Sequence, residues 1–245
     1  MKLFRKSIRL AVTPFFPKWL KARDQRVWIG KHAVQTQCYL RTKPSLTELI
    51  DYFRSHEVFA ANQKRLEITE ALRLISNLIP RRVCEIGSQA GGTLALLAAV
   101  AAPDARLLSI DLLYPEPRQR ANSQFVQPGQ SLTAVQADSH QVETREKARC
   151  WLNNEQLDVL FIDGDHSYAG VKSDYEMYAP LVRAGGLVLF HDIHPDYKSR
   201  FGRPTNNDVG DVPAFWTEVK QRHRETYGFI ESDDQDGYGI GVIRI

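Results

Sequence analysis
Cysteine is scarce in this chain: Cys38, Cys84 and Cys150 are odd in number and widely spaced. They lack metal-ligand spacing as well, which excludes a disulfide framework and a cysteine zinc site and fits reduced thiols in a cytoplasm. Long apolar runs are also missing. No stretch reaches the roughly 18–20 residues of a membrane-spanning helix. IRLAVTPFF, broken by Pro14, is too short for a signal peptide. Charge of one sign is lacking too: a net +3 is too little to imply nucleic acid. A cytoplasmic, soluble protein is therefore expected. What is present is an ordinary globular balance, 43% hydrophobic and 25% charged, so the 245 residues can bury a sizeable core.

The charge that exists is unevenly placed. Lys2, Arg5, Lys6, Arg9, Lys18, Lys21, Arg23, Arg26 and Lys31 crowd the N-terminus, while ESDDQD near the C-terminus is acidic. Residues 1–44 have no clean period. They read as a mobile or folded-over arm, with contact to a membrane surface or a partner as the alternative and a homo-oligomer left open. Ser45-Leu-Thr-Glu48 has the pattern of a capping box opening LTELIDYFRS. NQKRLEITEALRLISNLI then places Ile68, Leu72, Ile75 and Ile79 on one helical face, and Pro80 ends it.

From Arg82 a regular alternation begins. RVCEIG, RLLSID, SLTAVQAD, LDVLFID and GLVLFHD read as strands. Between them, GGTLALLAAVAA, PRQRANSQF, HQVETREKARCWLNN and GVKSDYEMYAPLVRAGG read as helices, with Gly185-Gly186 as the last helix's stop. Asp211-Val-Pro213 opens another helix, and TYGFIES with YGIGVIRI forms an antiparallel hairpin. The expected fold class is α/β: a Rossmann-like, doubly wound, seven-stranded sheet, mostly parallel, with a C-terminal antiparallel hairpin. The expected division is an N-terminal arm and helical extension over 1–61 and a cofactor-binding domain over 62–245.

In such sheets ligands bind beyond the carboxyl ends of the strands. Here every expected parallel strand ends in an acid: Glu85, Asp111, Asp138, Asp163 and Asp192. Helix capping explains some of these, but not all five. CEIGSQAGGT departs from G-x-G-x-x-G, so a pyrophosphate is not the natural occupant. The loop amides suit an amino-acid-like carboxylate, and Asp111 is placed to accept ribose hydroxyls.

In this order EIGSQAGGT, LLSID, ADS and LDVLFIDGDHSYAGVKSDYEMYAPLVRAGGLVLFHDI resemble class I S-adenosylmethionine-dependent methyltransferases. More narrowly, they resemble the metal-dependent small-molecule O-methyltransferase branch. Catechol O-methyltransferase-like enzymes, macrolide and aminocoumarin sugar O-methyltransferases and the cephalosporin-hydroxylase-like group belong to it. The resemblance spans about residues 62–245. It implies that Glu85, Gly87, Ser88, Gly91 and Thr93 hold the methionine side of S-adenosylmethionine, Asp111 the ribose, and Asp138 and Ser139 the adenine side. It implies Asp163 and Asp192 as metal ligands. His191 stands where most relatives carry an acid. Asp165 matches a proposed base of the sugar-modifying relatives, and His166 a basic position of the catechol-type ones.

The chemistry fits these residue types. Methyl transfer from a sulfonium is an in-line displacement that depends on holding an oxygen nucleophile close to the methyl carbon. A divalent cation orients that oxygen and eases its deprotonation. Two carboxylates suffice for Mg²⁺, and an imidazole at His191 shifts the preference toward Mn²⁺, Fe²⁺ or Zn²⁺. The proton acceptor is His166, whose type titrates near neutrality, or Asp165. His194 reads as a loop residue. Arg200 and Arg203 in the 193–210 loop permit an anionic or hydroxyl-rich acceptor, so sugar, phenolic and polyketide acceptors stay open. A nicotinamide oxidoreductase is disfavoured by the missing glycine motif, and a nucleic-acid methyltransferase by the missing basic stripe. A degenerate scaffold that docks a partner is the non-enzymatic alternative.

Overall fold
The computed structural model describes residues 18–245. The basic stretch from Lys2 to Arg9, and with it most of the proposed membrane-contacting arm, lies outside them. The described chain begins with three helices, α1 (Lys18–Arg41) and α2 (Leu46–Ser55) within the expected extension and α3 (Arg65–Ser76) beyond it. Then follow β1 (Arg82–Ile86), α4 (Gly92–Val100), β2 (Arg106–Asp111), α5 (Glu116–Asn122), β3 (Ser131–Gln136), α6 (Val142–Leu152) and β4 (Leu157–Ile162). The chain ends through α7 (Tyr168–Tyr178), β5 (Val182–His191), α8 (Tyr197–Phe201), α9 (Val212–Arg222), β6 (Thr226–Phe229) and β7 (Ile240–Arg244).

The strands form one seven-stranded sheet in the order β3-β2-β1-β4-β5-β7-β6. The first five are parallel and β7 is antiparallel to both β5 and β6. This is the expected α/β Rossmann-like architecture. Its strand order reverses between β1 and β4, so the crevice for a ligand opens at their carboxyl ends.

Period-two alternation sorts the strand side chains into two apolar layers. Val83, Val159, Phe161, Leu187 and Leu189 face one side, where they meet Leu72, Leu94 and Leu97 from α3 and α4. Cys84, Ile86, Leu160, Ile162, Val188 and Phe190 face the other, against Val171, Tyr178, Phe215 and Trp216. With both faces covered, β4 is buried along its whole length. The predicted capping box is present: Glu48 N–H donates to Ser45 Oγ at 3.3 Å, and Ser45 N–H to Glu48 Oε2 at 2.8 Å.

Two expectations about local structure are corrected. Most of the aperiodic stretch before residue 44 is a 24-residue helix, α1. Its cations are spread along the sequence without a helical period, and it is held by Ile29, Ala33 and Thr36, buried against the body. Gly185-Gly186 is not a helix stop either. The helix ends at Tyr178, a 3₁₀ turn over Ala179–Leu181 follows, and both glycines lie inside β5. There the ladder to β4 shifts register between Leu157 and Val159. Gly185, at φ +76, donates its N–H to Ile245 O at 2.7 Å, and the pair forms a bulge rather than a cap. Among the described residues no helix is long and apolar enough to cross a membrane.

Candidate active site
The first wall of the crevice is the turn after β1. It runs through Gly87 at φ +86, Gln89 at +40 and Gly91 at +88. Gly87 is confined between neighbours, since its N–H donates to Ile110 O at 2.8 Å and a Cβ there would lie 1.9 Å from the Asp163 carbonyl oxygen. Gly87→Ala is expected to cost more than about 2 kcal/mol of stability, read as a lower midpoint in urea unfolding. A Cβ at Gly91 would strike the Asn122 side chain at 2.2 Å. Arg118, on the same helix α5 as Asn122, donates to Val58 O at 2.6 Å and Ala90 O at 3.2 Å. The loop is thus braced from behind, and α4 starts directly after it with its free N–H groups toward the crevice.

Glu85, 1% exposed, leaves both carboxylate oxygens buried without a hydrogen-bond partner. Burial, with Asp163 and Asp111 nearby, pushes its carboxyl up to about 8 against the opposing contact with Ser88. An uncompensated buried carboxylate at a glycine-rich turn fits the ammonium group of an amino-acid-like ligand. Ser88 Oγ lies 2.6 Å from Ser109 Oγ, tying the turn to β2. Asp111 accepts from the Gln89 and Leu113 amides, each at 2.7 Å, which leaves further lone pairs on both oxygens. Beside it Leu112 and Leu113 expose apolar side chains, a surface suited to a heteroaromatic ring. Asp138 closes the turn before α6 by accepting from His140 N at 2.9 Å and Gln141 Nε2 at 2.8 Å, and Ser139 O accepts from Tyr178 Oη at 2.9 Å.

The second wall gathers Asp163, His191 and Asp192, whose potential ligand atoms all lie within 4.8 Å of one another. His191 Nδ1 is 3.1 Å from Asp163 Oδ1 and 3.4 Å from Asp192 Oδ2, while its Nε2 is buried without a protein partner. Asp192 sits at φ +62, in the left-handed region that aspartate tolerates better than most residues. His166 Nε2 faces the same two carboxylates at 3.7 and 3.6 Å, and its Nδ1 bonds the Asp208 carbonyl. Burial would raise the Asp163 carboxyl, but the His191 charge and the His166 contact override it and hold it at about 2. The hydrogen bond to Asp163 raises His166 to about 9 against the cost of burial. Burial likewise opposes charging His191, yet Asp163 and Asp192 hold it well above its usual value. The imidazoles therefore stand in for a cation between the two carboxylates, a donor set that a divalent ion fits.

Asp165 is placed differently. It accepts from Ser167 N at 2.8 Å and lies where a Cβ on Gly170 would meet its Cγ at 2.2 Å, against the first turn of α7. That backbone hydrogen bond lowers its carboxyl. His194 bonds Arg200 Nη1 at 3.2 Å and stays off the acid–imidazole group. One residue that no sequence motif marks joins the two walls. Gln63, 2% exposed, accepts from Thr93 Oγ1 at 2.9 Å and donates to Asp163 Oδ2 at 3.2 Å. Only its position just before α3 sets it apart along the chain.

Residues 84–193 match the family model described as a methyltransferase domain. The O-methyltransferase TomG from Streptomyces achromogenes, crystallised with S-adenosylmethionine, superimposes with a TM-score of 0.53 at 16% identity, over 81% of this chain and 89% of that one. A candidate caffeoyl-CoA O-methyltransferase from Staphylococcus aureus gives 0.57 at 21% identity, over 84% of this chain and 98% of that one. An uncharacterized protein of Acanthamoeba polyphaga mimivirus is 45% identical over 60 residues, which are 24% of this chain and 27% of that protein. This chain thus matches little more than a quarter of that relative's length. Residues 84–193 thus match a methyltransferase-domain model, and the chain has the fold of solved O-methyltransferases.

Proposed function
We propose that this protein transfers a methyl group from S-adenosylmethionine to a hydroxyl of a small molecule, a sugar, phenolic or polyketide-type natural product, with a divalent cation, Mg²⁺ or Mn²⁺, assisting. One observation carries the reading: the unpartnered Glu85 turn is coupled through Thr93 and Gln63 to the Asp163–His191–Asp192 group. A sulfonium donor and an acceptor oxygen need this adjacency, because the displacement is in line and its rate depends on close approach. Glu85 and the Gly87–Gly91 amides would hold the methionine end, and Asp111 the ribose. Leu112 and Leu113 would line the adenine side, where Asp138 and Ser139 also lie.

Asp163, His191 and Asp192 would hold the cation, which orients the acceptor hydroxyl and eases its ionisation. His166 is the better base of the two candidates. Its Nε2 already points at the acid pair, whereas the Asp165 carboxylate is spent on the α7 turn and is lowered as a base. With a cation on Asp163 and Asp192, His166 would lose the charge that holds its proton, and its Nε2 would be free to take the acceptor's proton. The three free cysteines support a reducing, cytoplasmic workplace.

Calorimetric titration of S-adenosylmethionine into the wild type and Asp111→Ala tests the cofactor reading. Binding by the wild type, weakened at least about tenfold in the variant, is expected. A folded wild type that takes up no cofactor, with or without Mn²⁺, sinks it and brings the scaffold reading forward.

A further inference from the structure
The backbone passes through Gly237, Tyr238 and Gly239 at φ +70, +65 and +90, three left-handed residues in a row. Glycine takes that region freely, whereas tyrosine does so only when its surroundings force it. The forcing group is Glu67, fully buried on α3. It accepts from Gly239 N at 3.0 Å and from Gln235 Nε2 at 2.7 Å, and Gln235 also donates to Gly237 O at 2.7 Å. On the other side His194 N donates to Tyr238 O at 2.8 Å.

The outcome is a half-buried phenol ring whose centroid lies 6.1 Å from that of His191, at the mouth of the acid–imidazole group. The Lys64 ammonium stands 5.4 Å from the centre of the same ring. Acids near the ring are otherwise engaged. Asp192 belongs to the acid–imidazole group, Glu67 holds the loop, and Asp236 accepts from Tyr197 N at 2.7 Å and Thr205 Oγ1 at 2.9 Å. Lys64 forms no ion pair with any described residue, so a half-buried cation is left beside the Tyr238 ring.

We infer that Tyr238 and Lys64 select the acceptor: the phenol lies against a planar ring that carries the reacting hydroxyl, and Lys64 takes an anionic substituent of that same molecule. Glycine at 238 would relieve the backbone, so the strain is set against what the ring contributes there. Ring against ring supplies orientation, and ammonium against carboxylate supplies discrimination. The inference rests on the methyl-transfer reading and narrows its acceptor to an aromatic acid.

The test loads the full-length protein with S-adenosylhomocysteine and Mn²⁺, then titrates it with 3,4-dihydroxybenzoate and with catechol, which differ only in the carboxylate. The acid is expected to bind at least about tenfold more tightly. Lys64→Gln should abolish that advantage and leave catechol unchanged. Tyr238→Gly should weaken both ligands about tenfold while its unfolding temperature stays within about 4 °C of the wild type. Tyr238→Phe should behave as the wild type. Equal affinity for the two ligands, a preference that survives Lys64→Gln, or no binding of either by protein that has taken up S-adenosylhomocysteine would overturn the inference. Failure to take up S-adenosylhomocysteine in the loading step overturns the methyl-transfer reading itself, so the two failures are told apart.

Discussion
Asp163→Asn is expected to lower the rate of methyl transfer by about 10²–10³-fold while leaving cofactor affinity within about threefold. The residue joins four partners: it faces His191 at 3.1 Å and His166 at 3.7 Å, accepts from Gln63 Nε2, and lies within ligand distance of Asp192. Asparagine keeps the shape and removes the charge, so the cation site should fail before the fold does. The variant's stability-versus-pH curve supplies a second readout. His166 is raised to about 9 by its contact with Asp163, so its contribution is complete below its unfolded value near 6.5 and is lost as pH rises through 9. Asp163, held at about 2, contributes above 3.8, and this contribution is lost as pH falls through 2. Both slopes should flatten in Asp163→Asn. Thermal unfolding from about pH 1.5 to about pH 10 would show this. Wild-type slopes retained in the variant would mean that the acid–imidazole group is not coupled as the distances indicate. If the variant keeps full activity, the carboxylate has no part in the reaction.

Glu85→Gln is expected to separate stability from cofactor binding. The buried carboxyl titrates at about 8 in the fold against an ordinary 4.5, so the native protein holds an extra proton between those values. Stability without cofactor therefore falls as pH rises from 4.5 through 8 and levels off above it, a total on the order of 3–5 kcal/mol. Glutamine removes that slope and should make the cofactor-free protein more stable at about pH 8. The cofactor behaves oppositely. An ammonium placed against Glu85 favours its charged form, so binding near pH 7 should expel close to one proton. Calorimetry in two buffers of different ionisation enthalpy reads that proton directly. Glu85→Gln should release none and bind S-adenosylmethionine at least about tenfold more weakly. Unchanged proton release in the variant would place the titrating group elsewhere.

Much of this site can be read along the chain. The apolar runs that end at Asp111, Asp163 and Asp192 are strands because burial on both faces demands continuous apolar residues, and a parallel sheet brings their ends to one edge. That rule places Glu85, Asp163, His191 and Asp192 near one another without any coordinates. Local hydrogen bonding also declares itself, as in the Ser45–Glu48 box. Gly185-Gly186 misled because a glycine pair has the same local appearance after a helix as in a bulge. The choice was made by pairing with β4 and with Ile245.

The connections across the crevice belong to the tertiary structure alone. Gln63 and Asp163 are separated by 100 positions, and Glu67 and Gly239 by 172. No periodicity or spacing relates residues so far apart, since such pairs meet only when α3 packs beside the sheet. The left-handed state of Tyr238 has the same origin, because its own preference opposes it and contacts from α3 impose it. Composition and pattern determined the sheet and the acids along its edge, since those follow from burial and from neighbours a few residues away. Packing decided which partners those acids meet and which side chains wall the acceptor, because those contacts form only between segments distant in the chain.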